Sequence, residues 1–190
     1  MDINEKTFDA ICQNDLRHLL DALAQLSSVE AETLEFAIQM HRTEMVKHIL
    51  PKCNLKEDNN ALVLAAANGN IEIVRLLLPL CNPKSDGSLA LYRAATHGHL
   101  DVVKELLSYS TPKAQKSRAL LVAVKNNHQG CVDLLYPVSE PHKVLKDLQQ
   151  LYSASPQKWE ALAERINADR QRLKLRSVVA DGSAAPKKRM

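Results

Sequence analysis

The chain has 190 residues, of which 45% are hydrophobic and 25% are charged, and its formal net charge at pH 7 is +3. This length and apolar content are enough for one continuous domain to fold alone. The first residues, MDINEKTFDAICQND, carry acids where a secretory signal would be apolar, and no stretch is long and apolar enough for a transmembrane helix, so we expect neither.

The first two predicted units each contain two short amphipathic helices. In residues 8–26, the pair Ala10 and Ile11 precedes leucines at helical spacing, and the opposite side is polar. Residues 34–53, LEFAIQMHRTEMVKHILPKC, repeat this plan more clearly. A polar outer face on the first unit is what the N-terminal cap of a repeat array requires. We assign these two units to residues 4–30 and 31–58.

The pattern is clearest in the middle of the chain. Residues 59–81 read NNALVLAAANGNIEIVRLLLPLC, residues 88–110 read SLALYRAATHGHLDVVKELLSYS, and residues 117–139 read SRALLVAVKNNHQGCVDLLYPVS. The three segments begin 29 residues apart, and self-similarity at such a period is typical of stacked repeats. We assign the corresponding units to residues 59–87, 88–116 and 117–140.

One unit can be interpreted residue by residue. Ser88 is predicted to cap a first helix, because its hydroxyl can accept a free backbone N–H of the first turn. That helix ends at Gly98, which tolerates a left-handed backbone, and residues 100–107 form a second helix with an apolar stripe. Ala94 and Ala95 are small enough to let neighbouring units approach closely. The expected caps of the neighbouring units are Asn59 and Ser117.

This pattern resembles the ankyrin repeat, whose core reads roughly TPLHLAAxxGHLEVVKLLL. The matching segments are residues 62–78, LVLAAANGNIEIVRLLL, and residues 91–107, LYRAATHGHLDVVKELL. The family's Thr-Pro-Leu-His opening is absent, since residues 89–92 read LALY. Each unit is also shorter than the usual 33 residues, and the deficit lies in the loop between units. Such short units look similar to those of a subset of bacterial ankyrin proteins.

After the fifth unit the repeated phrase decays. Residues 142–152 form one amphipathic helix, and the Ser-Pro pair at 155–156 signals the start of a second helix over 157–175. We assign residues 141–176 to a degenerate repeat that caps the stack. Residues 177–190 are predicted to be a disordered basic tail. The second helix is expected to bury Trp159, Leu162, Ala163, Ile166 and Leu173. The predicted fold is all-α: an ankyrin-repeat solenoid of about five helix-turn-helix units with a helical C-terminal cap.

The cysteines indicate a reducing compartment. Cys53 and Cys81 occupy equivalent positions in adjacent units, and stacked helix pairs lie about 10 Å apart. A disulfide needs Cα atoms within about 7 Å, so no bridge is expected between them. We therefore interpret Cys12, Cys53, Cys81 and Cys131 as small buried thiols of a cytoplasmic protein.

Charge is unevenly distributed along the chain. Residues 141–190 contain 11 Lys and Arg against 5 Asp and Glu, whereas residues 1–140 contain 14 against 17. The basic end could be a solvated helix face with a solubilising tail, a two-part nuclear import signal, or an arm that contacts nucleic acid or an acidic membrane. With two Phe, four Tyr and one Trp in the chain, few rings are available to stack on bases, which disfavours nucleic acid.

Catalytic and metal motifs are absent from the sequence. His97 and His99 could be two metal ligands, but no cysteine or carboxylate set follows at zinc-ligand spacing. The resemblance instead gives His99 a structural place after the turn glycine. No nucleophile elbow and no phosphate-binding glycine loop are present. We therefore expect no enzymatic activity, no cofactor and no metal.

The resemblance implies that a partner binds in the concave groove of the solenoid. In the family, this groove is lined by the two residues before each turn glycine and by the tips of the loops between repeats. In this chain the first group is Gln39, Met40, Ala67, Asn68, Thr96, His97, Lys125 and Asn126. The second group is Lys56, Asp58, Lys84, Asp86, Lys113 and Lys116. Tyr92 replaces the family's histidine and could either brace the turn or reach the groove.

We expect the chain to be a non-catalytic module that binds an unknown protein through this groove. Two alternatives stay open. The chain could be a bacterial effector that is delivered into a eukaryotic host cell, or its basic C-terminal arm could bind nucleic acid or another acidic surface. We expect a monomer, although the amphipathic C-terminal helix could also pair with another molecule.

Overall fold

The structure, a computed structural model, describes residues 3–55 and 59–182 and consists of paired helices over these ranges. Turns of 3-10 helix follow α4, α10 and α11, at Leu50–Lys52, Tyr136–Val138 and Pro156–Lys158. The predicted all-α fold is therefore confirmed. The helices are α1 (Ile3–Gln13), α2 (Leu16–Ala24), α3 (Ala31–Gln39), α4 (Thr43–Ile49), α5 (Asn60–Ala67), α6 (Ile71–Leu77), α7 (Ser85–His97), α8 (Leu100–Leu107), α9 (Ala114–Lys125), α10 (Gln129–Leu135), α11 (Pro141–Leu151) and α12 (Glu160–Gly182).

The pairs stack in chain order into a solenoid. The first helices of successive units, α3, α5, α7, α9 and α11, pack on one another, and the second helices, α4, α6, α8 and α10, form a parallel layer. The first helices pack more closely on one another than the second helices do. We call the exposed face of α3, α5, α7, α9 and α11 the first-helix surface.

Small residues allow this close approach, as the sequence predicted. Ala65, Ala66, Ala94, Ala95 and Ala123 are all completely buried between neighbouring first helices. The larger core residues repeat from layer to layer at equivalent positions, and they form one continuous cluster. Examples are Leu62, Leu91 and Leu120 on the first helices, and Val74, Val103 and Val132 on the second helices.

The serines predicted to cap the first helices do not cap them. Helix α7 begins at Ser85 and α9 begins at Ala114, so Ser88 and Ser117 lie inside these helices. Both serines are buried and have left-handed backbones, with φ of +65° and +61°. The N-cap prediction is therefore wrong for both residues.

These side chains instead connect one repeat boundary to the next. The Oγ of Ser88 accepts a hydrogen bond from the backbone N–H of Thr111 at 2.8 Å. The Oγ of Ser117 accepts one from the N–H of Glu140 at 2.9 Å. The side-chain oxygen of Asn59, which precedes α5, accepts one from the N–H of Asn82 at 2.7 Å. Each bond spans 23 residues, so the same loop contact recurs along the stack.

Replacing Ser117 with alanine is expected to lower the free energy of unfolding by about 1–2 kcal/mol. The change keeps Cβ and therefore the backbone strain, but it leaves the partly buried N–H of Glu140 without its acceptor. Ser108→Ala is the control, since Ser108 is exposed, and it should change stability by less than about 0.5 kcal/mol. Equal urea midpoints for the two variants would contradict a structural role for this bond.

The last two helices close the stack. Leu162 and Ile166 of α12 are buried, and Trp159 just before it is half-buried. Leu173 is 66% exposed, so its predicted burial is wrong, because α12 extends beyond the layer that it packs against. Helix α12 also continues to Gly182, into the segment predicted to be disordered, and residues 183–190 lie outside the described ranges.

Polar contacts hold α12 against α10 and the turn that follows it. The guanidinium of Arg165 forms an ion pair with Asp133 and lies 4.2 Å from the ring centroid of Tyr136. The hydroxyl of Tyr136 donates a hydrogen bond to Asp169 Oδ2 at 2.7 Å. Burial, and then the adjacent Asp169 carboxylate, raise the pKa of Tyr136 to about 12. The phenol therefore stays protonated at neutral pH and can donate to Asp169.

None of the four cysteines forms a disulfide. Cys131 is buried and Cys53 and Cys81 are half-buried, whereas Cys12 is exposed, contrary to the expected burial. Burial raises the pKa of Cys53 to about 11 and also raises that of Cys131. Both groups are therefore neutral thiols at physiological pH and poor nucleophiles.

Candidate functional site

The turns between first and second helices are braced by histidines of the following repeat. Gly69 and Gly98 have φ of +73° and +76°, as predicted for turn glycines. The Nε2 of His99 donates to the carbonyl oxygen of Ala67 at 2.8 Å, and that of His128 donates to Thr96 at 3.0 Å. Each imidazole lies against the turn glycine of the preceding repeat. The structural role predicted for His99 is confirmed.

Two predicted groove residues also brace the stack. The side-chain amide of Asn68 donates a hydrogen bond to the carbonyl oxygen of Ile38 at 3.2 Å. The amide of Asn126 donates to Thr96 at 2.8 Å. Both bonds reach back one repeat, so these asparagines fix the spacing of the first helices. A partner that contacts them therefore meets side chains already held in place.

The predicted site residues lie along two edges of the first-helix surface. One edge is formed by the C-terminal ends of the first helices and contains Gln39, Met40, Asn68, Thr96, His97, Lys125 and Asn126. The other edge is formed by the N-terminal ends of α7 and α9 and contains Lys84, Asp86 and Lys113, all exposed. The 13 residues of α7 separate the edges by roughly 18 Å, at about 1.5 Å per residue. Lys56 and Asp58 lie outside the described residues.

Tyr92 lies between these two edges and contacts the next repeat. It is half-buried, and the guanidinium of Arg118 lies 4.3 Å from its ring centroid. Cation–π contacts of this kind hold an arginine in a defined position. The backbone oxygen of Tyr92 also accepts a hydrogen bond from the Thr96 hydroxyl at 2.8 Å. Tyr92 and Arg118 therefore form an ordered pair at the centre of the first-helix surface.

Several residues between the edges were missed by the sequence analysis. Arg93, Arg118 and Lys146 are all exposed on first helices. Arg118 precedes Lys125 by seven residues, which is two helical turns, so both side chains lie on one face of α9. The seven-residue spacing from Lys125 is the sequence feature from which Arg118 could have been predicted. The family pattern directs attention to the helix ends and therefore overlooks the stripe between them.

The second-helix side also carries polar groups, since Arg75 of α6 and Asp101, Lys104 and Glu105 of α8 line one groove. Across the described parts of the chain, no three His, Cys, Asp or Glu residues are placed to hold a metal ion. A mostly apolar groove of about 470 Å³ lies between α4 and α6, with Lys47 at its edge. Ion pairs with Glu44 and Glu72, both at 2.7 Å, raise the pKa of Lys47 to about 12. No helix within residues 3–55 and 59–182 has the length and apolar character needed to cross a membrane.

A family model described as Ankyrin repeats (3 copies) matches residues 10–117 and 80–147. These matches together span more than half of the chain. The chain belongs to the ankyrin repeat family. The resemblance inferred from the glycine turns and alanine pairs is thus confirmed.

The ankyrin solenoid also resembles a solved structure. The crystal structure of the human ASB11 ankyrin repeat domain aligns with a TM-score of 0.61 at 18% sequence identity. The alignment covers 71% of this chain and 70% of that chain. At this identity the likeness is one of fold alone. A search of curated proteins finds no similar sequence.

Proposed function

We propose that this ankyrin repeat protein is a non-catalytic module that binds a partner protein on its first-helix surface. The observation that carries the proposal is the alignment of exposed side chains across successive first helices, with the Tyr92–Arg118 pair at their centre. Tyrosine and arginine are enriched among the residues that contribute most to protein binding. Ankyrin repeats are protein-interaction modules, which supports the same reading.

Rigidity would be the source of affinity in this mechanism. The bonds from Asn68, Asn126, His99 and His128 fix α3, α5, α7 and α9 relative to one another. A surface that is ordered before binding loses little conformational entropy when a partner arrives. The exposed side chains at the edges, such as His97 and Lys125, would then select the partner by polar contacts.

Alanine at three exposed edge positions is expected to abolish capture of the partner. We suggest Gln39→Ala, His97→Ala and Lys125→Ala together, because Asn68 braces the stack and its loss would perturb the fold. Affinity purification with mass spectrometry, using bacterial and eukaryotic lysates, would compare this variant with the wild-type chain. The matched control carries His48→Ala, Lys104→Ala and Ser108→Ala, at exposed positions on the second-helix side.

The result of this experiment distinguishes binding at the first-helix surface from binding at α12. Proteins captured by the wild type and the control, and lost with the edge variant, would support binding at the first-helix surface. Proteins retained by all three would contradict it and would point to α12, where Arg170 and Arg172 are exposed. Binding by that basic arm to nucleic acid or another acidic surface is the alternative favoured by this exposure.

The proposal also covers location, oligomeric state and delivery, and a separate observation supports each of them. A reducing, cytoplasmic location is supported by the four unbridged cysteines. A monomer is supported by the closure of the stack by α11 and α12. A bacterial origin and delivery into a host cell are supported by the short repeats alone. The use of two lysates in the capture experiment addresses this last point directly.

A further inference from the structure

The first-helix surface is divided electrostatically along the stack. Helix α3 carries Glu32 and Glu35 and no basic residue, and Glu30 immediately precedes it. Helix α5, NALVLAAA, is uncharged. Helix α9, AQKSRALLVAVK, contains three basic residues and no acidic one. Helix α3 is therefore acidic and α9 is basic. Between them lie the uncharged α5 and α7, which carries one acidic and one basic residue, Asp86 and Arg93.

The basic end presents three cations on neighbouring elements. Arg118 and Lys125 are exposed on one face of α9, and Lys146 is exposed on α11. Lys143 of α11 is exposed as well and forms an ion pair with Glu140 at 2.8 Å. The remaining acid of α11, Asp147, is half-buried. The exposed charge at this end is thus predominantly positive.

We propose that the partner contacts this surface with a segment in which acidic and basic residues form separate blocks. The acidic block lies over α9 and α11, and the basic block lies over α3. This inference rests on the proposed function and specifies the chemistry of the partner. Complementary charge across an interface selects the correct partner and fixes its register. The uncharged α5, and α7 with its opposite charges Asp86 and Arg93, would keep the two blocks apart.

A uniformly charged polyanion fits this surface poorly. Phosphates spaced along a nucleic acid would find cations at α9 and α11 but would meet Glu30, Glu32 and Glu35 at α3. Like charges brought together at an interface weaken binding. The acidic end therefore favours a protein segment over a nucleic acid.

The dimensions of the surface define a suitable probe. Four helix-to-helix steps of about 10 Å separate α3 from α11, which gives about 40 Å. An extended peptide covers this length with about 12 residues. We suggest a fluorescent peptide of four glutamates, six Gly/Ser residues and four lysines. Its matched control has the same composition with glutamate and lysine alternating, so both peptides have no net charge.

The block peptide is expected to bind at least about tenfold more tightly than the alternating peptide. Fluorescence anisotropy at about 0.01 M ionic strength would measure both affinities, because charges there interact over about 30 Å. The difference should shrink at about 0.15 M, where the screening length is about 8 Å. Equal affinities at low salt would overturn the proposal.

Charge reversal locates the binding. The triple variant Arg118→Glu, Lys125→Glu and Lys146→Glu should bind the block peptide at least about tenfold more weakly than the wild-type chain does. The control, Lys104→Glu, Arg170→Glu and Arg172→Glu, changes the net charge equally but lies on α8 and α12. It should weaken binding by less than about twofold. An equal loss in both variants would overturn the assignment to α9 and α11.

A second variant distinguishes a loss of binding from a loss of folding. Arg118 packs on Tyr92, so its replacement could disturb the stack, whereas Lys125 and Lys146 are exposed. The double variant Lys125→Glu and Lys146→Glu should still bind the block peptide at least about fivefold more weakly than the wild-type chain does. Its thermal transition, measured by circular dichroism, should be unchanged. A folded double variant that binds normally would count against the proposal.

Two further outcomes discriminate between explanations. A 14-nucleotide single-stranded DNA that bound more tightly than the block peptide, and was lost with the same charge reversal, would overturn the proposal in favour of nucleic acid. Failure of the block peptide, with partner capture still lost in the Gln39, His97 and Lys125 alanine variant, would overturn charge separation alone. The proposed function would then stand without it.

Discussion

Replacing Leu91 with alanine is expected to lower the free energy of unfolding by about 3–4 kcal/mol. Leu91 is 1% exposed and lies in α7, the central first helix. Its neighbours in the adjacent layers are Leu62 on α5 and Leu120 on α9, both buried. These layers are held apart by the fixed inter-repeat hydrogen bonds and cannot easily collapse into the space left behind. Urea unfolding followed by circular dichroism would measure the loss.

Leu100→Ala is the matched control for this prediction. Leu100 is the first residue of α8, nine residues after Leu91, and is 44% exposed. The same change in side chain there should cost less than about 1 kcal/mol, because few contacts are lost. Similar losses in both variants would contradict the central position that the structure gives to Leu91.

Gly98→Ala is expected to lower the free energy of unfolding by about 2–3 kcal/mol. A left-handed backbone costs an alanine about 1–2 kcal/mol, and Gly98 has φ of +76°. The new Cβ would also lie 2.6 Å from Nδ1 of His128, which would have to move and lose its hydrogen bond to Thr96. That bond contributes about 1 kcal/mol.

Two comparisons test whether the left-handed backbone of Gly98 and the clash with His128 cause this loss. Gly130→Ala adds the same methyl group on α10, where the contact is the flexible end of Leu100 at 3.1 Å, and should be neutral or stabilising. A double variant with His128→Ala should recover the part of the Gly98→Ala loss that is due to the clash. Strictly additive losses would show that His128 and Gly98 do not interact.

The repeated core was predictable because periodicity encodes burial directly. Between residues 59 and 139, the small residues of the first helices and the apolar stripe of the second helices recur every 29 residues. Buried residues such as Ala94 and Val103 follow that register. The turn glycines were predictable for a related reason, since only a few residues accept a left-handed backbone. Local patterns therefore identified the repeats and most of their packing.

The serine contacts were not predictable from local pattern. A hydroxyl before an apolar run is a good N-cap signal, and Ser88 and Ser117 both satisfy it. Their actual partners, Thr111 and Glu140, lie 23 residues away. The sequence contains the donor and the acceptor but not the path of the loop that brings them together. The exposure of Leu173 has a similar origin, since helical spacing does not reveal where the neighbouring layer ends.

The candidate site was predicted in outline. His97 and Lys125 are exposed at the ends of first helices, which is where the family pattern places contact residues. Asn68 and Asn126 are at the same edge but hold the stack together. Arg118 was missed because its importance comes from Tyr92 in the preceding repeat. Contacts between repeats therefore decide which residues are available, and a single repeat does not show them.

The loop contacts made by Asn59, Ser88 and Ser117 have a consequence for how the chain can change in length. Each acceptor reaches only to the next boundary, and the donor there is a backbone N–H that any residue except proline supplies. Ser88 and Thr111 both lie within residues 88–116, so duplication of a gene segment encoding these residues would bring the acceptor and its donor together into the new layer. The array could gain a whole layer in one genetic step, without compensating substitutions at the boundaries between repeats.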